Sequence, residues 1–424
     1  MLGVLILYKK LFVMLFFSIF ILNDVFRIGF GEGSFFHFIN VLLLIFGVLY
    51  FAWGVKKNRI RPIFLYFVIS FCLLMLIQIP LTTTVGKVLN LGMISSTYLV
   101  PLLILTVKLS KDEASELLGS FLKYFNFFCV LLVIVGLLDY VTNASIQLFL
   151  ANTYFQGTAV ANYINGEHIW GVYRYYSLIG MPLTITKYYL LFYSLNHIYA
   201  KQEKFLMKPA VIMIVSLIGV LLSGSKTGII LILFLILFAS HNKRFKFGFY
   251  LFVAVALWGF TLTPIYQNIV KERFEQGVQS GDLSTGRNQV VEALFNSNVE
   301  SPGFFVGKGI NYSREVVANL HVTNIFNFEY PILMMPYDYG ILCTFIFYSL
   351  LFIFPIILLL KKRSFFILVH FLVMSLMVNN NNGLATIATD YTAQFVLVLV
   401  LLLNMGKQKS EKKIANKVAL SKTA

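Results

Sequence analysis

With 58% hydrophobic and only 12% charged residues over 424 positions, the chain falls outside the soluble globular class, where about a quarter of residues are charged. A formal net charge of +16 would suit a nucleic-acid binder. The charges, however, sit between apolar runs of roughly 18–22 residues, each near the length that crosses a hydrocarbon layer. The three cysteines, Cys72, Cys129 and Cys343, lie inside such runs, which argues against a disulfide framework or a zinc site.

In chain order, transmembrane helices are predicted at 11–28, 36–55, 62–80, 88–107, 125–143, 175–199, 209–223, 227–240, 247–264, 338–360, 364–379 and 388–405. Backbone polar groups in lipid must be satisfied within each segment. The expected fold is therefore an all-α integral membrane protein of about 12 spans, one polytopic domain over 1–424. The first run is followed by Asp24 and Arg27 rather than a small-residue cleavage site, so it reads as a span and not as a signal peptide. No internal repeat relates the two halves.

The connections alternate in charge. Lys9 and Lys10, the 56–61 segment, 108–123, 201–208, 243–246, 361–363 and the tail at 406–424 together hold 24 of the 34 Lys and Arg residues. By the positive-inside rule that side is cytoplasmic and both termini are inside, as expected in a bacterial cytoplasmic (inner) membrane. This distribution accounts for the net charge with no nucleic acid. The basic tail is a solvated segment able to touch anionic membrane lipids.

Two connections on the opposite side are long, 144–174 and 265–337. In the second, Ser284 and Thr285 are placed to cap a helix beginning near Gly286, with Val290, Val291, Leu294 and Phe295 on one apolar face. Pro302, Gly303, Gly307 and Gly309 then punctuate a turn-rich stretch. The 265–337 segment is expected to be a large, partly helical external loop that folds onto the bundle as a lid or site-forming element.

Lys187 falls near the middle of the sixth predicted span, where a charge is costly and calls for a polar cavity or an anionic partner. The plain alternative is a structural pair with Asp139 or Asp390. Arg174, among tyrosines at the mouth of that span, suits bidentate phosphate contact or simple anchoring. Gly180 and Pro182 interrupt the helix beside it. Ser223 to Gly228, containing Ser225 and Lys226, forms a tight turn that is either a phosphate-binding nest or a compact connection with a snorkelling lysine. Arg287 stands in the first turn of the loop helix, where the macrodipole disfavours a cation. His321, followed by Asn324, is a candidate base or a structural histidine. The run from Asn379 to Asn382 either binds sugar hydroxyls or closes a helix pair. Glu167 and His168 lie near these cations in sequence. A set of cations with one base fits an anionic lipid diphosphate, and no metal-ligand spacing appears, so metal-independent chemistry without a cofactor is expected.

At these residues the chain resembles the O-antigen ligase and polymerase family, most of all the Wzy-type polymerases. The resembling elements are the Arg174 to Pro182 segment, the Ser-Gly-Ser-Lys-Thr-Gly turn, Thr285-Gly286-Arg287, the Gly307-Lys308-Gly309 turn, and His321 with Asn324 ahead of Gly340. Lys226 departs from the arginine common in that turn, which keeps the charge and loses the guanidinium fork. The resemblance implies a GT-C-like glycosyltransferase acting on undecaprenyl-diphosphate-linked oligosaccharides for O-antigen or capsule, with a chain-length regulator and a flippase as partners. It implies that Arg174, Arg287 and Lys226 stabilise the departing diphosphate. His321 would act as the base, with Glu167 as the alternative, while Lys187, Ser225 and Asn324 bind substrate. Ligation by a sister enzyme of the same family is the nearest alternative, and a flippase or secondary transporter is the reading from another class. Against transport stand the missing repeat and the scarcity of intramembrane charge.

Reporter fusions after Arg61, Lys208 and Arg363 are expected to read cytoplasmic, and those near Asn152 and Ser297 external. A cytoplasmic signal from Ser297 would overturn the charge-based topology.

Overall fold

The computed structural model describes residues 2–21, 35–78, 87–169, 171, 173–176, 179–239, 262, 266–271, 275, 278, 287–320, 322, 328–387 and 390–406. The predicted span at 247–264, the 284–286 cap, His321 and Asn324 fall outside them, apart from Leu262. The described residues are helical, with one isolated bridge between Ile60 and Val107.

The first helices are α1 (Leu2–Phe20), α2 (Phe35–Lys56) and α3 (Pro62–Gln78). Next, α4 (Lys87–Ile94) runs through a π turn (Ser95–Leu99) into α5 (Val100–Leu105). Then come α6 (Lys111–Val141), the short α7 (Ser145–Thr153) and α8 (Ala159–Ile169), α9 (Pro182–Ala200), α10 (Pro209–Ser223) and α11 (Lys226–Ala239). After a π turn at Tyr266–Lys271 follow α12 (Arg287–Asn296), α13 (Tyr312–Asn319), α14 (Pro331–Tyr339) and α15 (Ile341–Tyr348). A third π turn (Ser349–Ile353) leads into α16 (Phe354–Lys361), then α17 (Phe365–Asn379) and α18 (Tyr391–Met405).

Helix ends follow local chemistry where hydropathy alone misplaces them. α6 starts well before the predicted 125 because Ser110 and Glu113 form a capping box: Glu113 N donates to Ser110 Oγ at 3.2 Å and Ser110 N to Glu113 Oε2 at 2.8 Å. α9 starts later than the predicted 175 because Gly180 turns the chain at φ 79° and Pro182 takes the first helical position. The long connection at 144–174 contains α7 and α8. Pro101 and Pro355 each follow a π turn, whose wider ring relieves the clash between proline and the carbonyl four residues earlier.

α6 (Lys111–Val141) and the run Ile341–Lys361 are long and apolar enough to cross a membrane, and shorter apolar helices accompany them. Phe127, Ile134, Phe345 and Leu376 face outward, as suits a surface in lipid more than one in water. The architecture is that of an all-helical protein compatible with a membrane location.

The centre of the bundle is α18, buried from Thr392 to Met405. An all-round apolar helix of this kind has no solvent face to offer. α9 packs on α10, α6 and α17 and is nearly as deeply buried. The two central helices meet through polar groups: Lys187 Nζ donates to Gln394 Oε1 and stands 3.4 Å from the centroid of the Tyr391 ring. Asp139, one of the two acids considered as a partner of Lys187, is engaged elsewhere, on Ile146 N, Gln147 N and the Tyr173 hydroxyl.

Gln394→Leu is expected to lower thermal stability in detergent by about 1.5–3 kcal/mol, the scale of a hydrogen bond to a charged group. Adding Lys187→Met should recover most of that loss, because the buried ammonium is then gone as well. A double variant no more stable than the single one would show that the contact does not govern the core.

Candidate functional site

The sequence-predicted cations gather at the end of the bundle that carries the α10–α11 turn. α10 closes on Gly224, left-handed at φ 64°, whose N–H returns to Leu221 O at 2.9 Å. α11 opens immediately: Ser225 Oγ accepts from Gly228 N at 3.1 Å, an N-cap. Ser225 is thus buried and committed to the helix start, while Lys226 and Thr227 occupy its first turn. Gly228 leaves no room for a side chain, since a Cβ there would run into Thr186 of α9.

Arg287 is brought onto this turn from far along the chain. Its Nη1 donates to Asn380 O at 3.2 Å and to Asn380 Oδ1 at 3.0 Å, and Asn380 Nδ2 donates to Thr227 Oγ1 at 2.7 Å. Its Nε donates to Glu329, which holds a left-handed φ of 54° rare for a residue with a side chain. Glu329 also supplies the negative charge that the first turn of α12 lacks in its own sequence. Nη2 of Arg287 has no protein partner among the described residues. Among the described residues, that donor edge of the guanidinium is left for an anion beside the N-terminus of α11. Of the apolar face expected on α12, Val290 is buried and Val291 and Leu294 partly so, but Phe295 is 79% exposed.

The 303–309 stretch of the loop is stitched to α14 and α15 by its backbone. Lys308 N donates to Tyr337 O at 2.9 Å and Gly309 N to Asp338 O at 3.1 Å. The Gly307-Lys308-Gly309 turn thus covers the last carbonyls of α14. Ile341 N and Leu342 N, freed by the break at Gly340, donate to Gly303 O and Phe304 O at 3.0 and 2.8 Å. The Asp338 carboxylate accepts from Ser313 N at 2.7 Å at the start of α13. Lys308 itself is exposed and pairs with Glu300.

Arg174 lies in the extended 173–176 segment, and the tyrosines beside it are its fixings. Tyr173 donates to Asp139 Oδ2 at 2.9 Å, Tyr175 to Leu132 O at 3.0 Å, and Tyr176 N to Gln147 Oε1 at 3.2 Å. Tyr175 N also donates to Leu222 O at 3.0 Å, which ties the segment to the end of α10. Tyr175 and Tyr176 are buried, so they do not form an interfacial belt. Arg174 Nη1 meets Glu167 Oε1 at 3.0 Å, while Arg174 Nε and Glu167 Oε2 are buried without hydrogen-bond partners. The pair lines a cavity of about 310 Å³ together with His168, Asn143, Tyr173 and Tyr176.

Arg287 and the Lys226 turn are therefore joined through one asparagine, Arg174 with Glu167 forms a neighbouring cavity, and Lys187 is a core residue. The sequence pattern marks none of Thr227, Glu329, Tyr391 and Gln394 as a partner, and the asparagine run alone draws notice to Asn380. Comparison of the chain with protein families, curated proteins and solved structures finds no match.

A double-mutant cycle between Arg287→Ala and Asn380→Ala, read by thermal stability, is expected to give a coupling of about 1–2 kcal/mol. Additive losses would show that the two side chains do not act together.

Proposed function

We propose that the chain is a polysaccharide polymerase, a metal-independent glycosyltransferase of GT-C-like architecture. In this reading it joins undecaprenyl-diphosphate-linked oligosaccharide repeat units at the outer face of a bacterial cytoplasmic membrane. The observation that supports the reading is Arg287, held by Asn380 and Glu329 at the α10–α11 turn, with Nη2 left without a partner among the described residues. A preorganised cation beside a helix N-terminus suits charge that develops on a departing diphosphate, because no reorganisation is needed as the charge forms.

The transfer runs as a displacement. An acceptor sugar hydroxyl attacks the anomeric carbon of the lipid-linked chain, and the bond from that carbon to the diphosphate oxygen breaks. The electron pair leaves on the diphosphate, beside Arg287 and Lys226, and the hydroxyl proton passes to His321. Arg174 supports the same anion from the neighbouring cavity. Glu167, with one oxygen free of hydrogen bonds, is the alternative acceptor of the proton. Asn324 and Ser225 remain substrate-binding candidates in this scheme, Ser225 through the turn that it caps. Lys187 contributes by setting α9 against α18.

Arg287→Ala is expected to abolish polymer while abundance stays near normal. Arg287→Lys should rescue only in part, because an ammonium cannot serve Glu329, Asn380 and an anion at once. With purified enzyme and lipid-linked units, His321→Gln should cut extension by roughly 10²–10⁴-fold, the scale of general-base loss. Wild-type turnover should fall as pH drops through the ordinary histidine range. Normal extension by the Arg287→Ala variant would remove that residue from the mechanism. Movement of lipid-linked units across a vesicle without extension would favour transport instead.

A further inference from the structure

At the opposite, basic end of the bundle the α2–α3 and α5–α6 connections are clasped together. Around the Ile60–Val107 bridge, Arg61 N donates to Thr106 O at 2.8 Å and Lys108 N to Arg59 O at 2.7 Å. Beside this clasp, α3, α16 and the end of α18 enclose a cleft of about 540 Å³. That volume is within the roughly 300–1,000 Å³ of small-ligand sites. Its wall is apolar, with Ile63, Phe64, Phe354 and Ile357, and its rim carries Arg61, Lys108, Lys361 and Lys362.

Among the described residues, none that lines the cleft is acidic. Elsewhere on this end, basic side chains meet carboxylates: Arg59 pairs with Glu113 and Lys9 with Glu116. Arg61 and Lys362 in the cleft are held instead by neutral acceptors. Arg61 donates to Asn404 Oδ1 at 2.7 Å and to Leu105 O at 2.9 Å, and Lys362 donates to Leu403 O. The Arg61 guanidinium lies 5.6 Å from the centroid of the Phe64 ring. Burial lowers the pKa of Arg61 to about 10, and burial together with the Arg61 charge lowers that of Lys362. Two cations thus share one partly buried site with no counter-charge among the described residues, and an anion would relieve the repulsion. The tail that continues from the end of α18 is no such anion. Between Lys407 and Ala424 it carries six lysines against a single acid, Glu411.

We propose that this cleft binds an anionic phospholipid of the cytoplasmic leaflet, with the headgroup phosphate between Arg61 and Lys362 and the acyl chain along Phe64, Phe354 and Ile357. The charge complements a phosphate, and the apolar wall distinguishes a lipid from a free anion. The site rests on the membrane-embedded reading of the bundle and on none of the transfer chemistry.

The test uses the full-length chain in a neutral detergent, with short-chain phosphatidylglycerol, the matching phosphatidylcholine and inorganic phosphate as probes. Membrane fractionation comes first: a chain recovered in the soluble fraction would overturn the membrane reading and the site with it. In a chain that fractionates with membranes, phosphatidylglycerol should raise the melting temperature in a saturable way, and the other two probes should not. Lys108→Gln with Lys361→Gln, both on the exposed rim, should weaken the apparent affinity by roughly tenfold or more. Lys56→Gln with Lys57→Gln, outside the cleft, should leave it unchanged. If the rim variant does not fold, Lys362→Gln decides by the same readout. Equal protection by phosphatidylcholine would reduce the cleft to an apolar surface, and equal protection by inorganic phosphate to an anion site. Undiminished phosphatidylglycerol affinity in the cleft variants would overturn the proposal.

Discussion

One amide side chain ties the centre of this bundle together. Gln394, within the fully buried α18, accepts from the Lys187 ammonium and donates to the Ile19 carbonyl and the Tyr188 hydroxyl. Tyr188 in turn donates to Phe20 O at 2.7 Å. The ends of α1, α9 and α18 are therefore fixed by polar contacts in a region with little else that is directional. Apolar packing tolerates sliding of one helix past another. A buried ammonium does not, because movement would leave its charge unpaired where water cannot reach it.

That fixed centre bears on both ends of the molecule. At one end, α9 places Thr186 against the α10–α11 turn, where its hydroxyl meets Ser223 Oγ at 2.7 Å, and Thr184 meets the Tyr391 hydroxyl at 2.6 Å. The turn that receives Arg287 is thereby referenced to the same pair of helices that holds Lys187. At the other end, α18 delivers Asn404, which accepts from both Arg61 and Leu109 N. The cation set around Arg287 and the basic cleft are thus connected through α18, although they differ in chemistry. One is arranged around an asparagine bridge and a helix start, the other around backbone carbonyls and an apolar wall.

The apolar runs, the helix at Arg287 and the cationic character of one end were legible because each is written within a few residues. Partnerships were not. Arg287 finds Glu329 and Asn380 across 42 and 93 residues, and Lys187 finds Gln394 across 207. Periodicity carries no information at that range. Asp139 appeared a fit partner for Lys187 on charge alone. In the structure it serves the first N–H groups of α7, a demand visible only once the chain turns through Asn143 and Ala144. Phe295 had the right spacing for a buried face, but spacing does not tell how much of a ten-residue helix finds something to pack on. The early start of α6 was written in Ser110 and Glu113, where a hydropathy window registers only polar residues.

The backbone bonds from Ile341 and Leu342 to Gly303 and Phe304 set a limit on motion. Both N–H groups belong to the first turn of a membrane-length helix, at the point where helical bonding is interrupted by Gly340. Lifting the 303–309 stretch would strip these donors of their acceptors and uncover the last carbonyls of α14. Each group left unsatisfied in lipid costs several kcal/mol. This stretch therefore behaves as masonry and not as a door. Under the proposed function, a long lipid-linked substrate would have to reach the cations by threading past this fixed stretch, in a direction set by the helices and not by its opening.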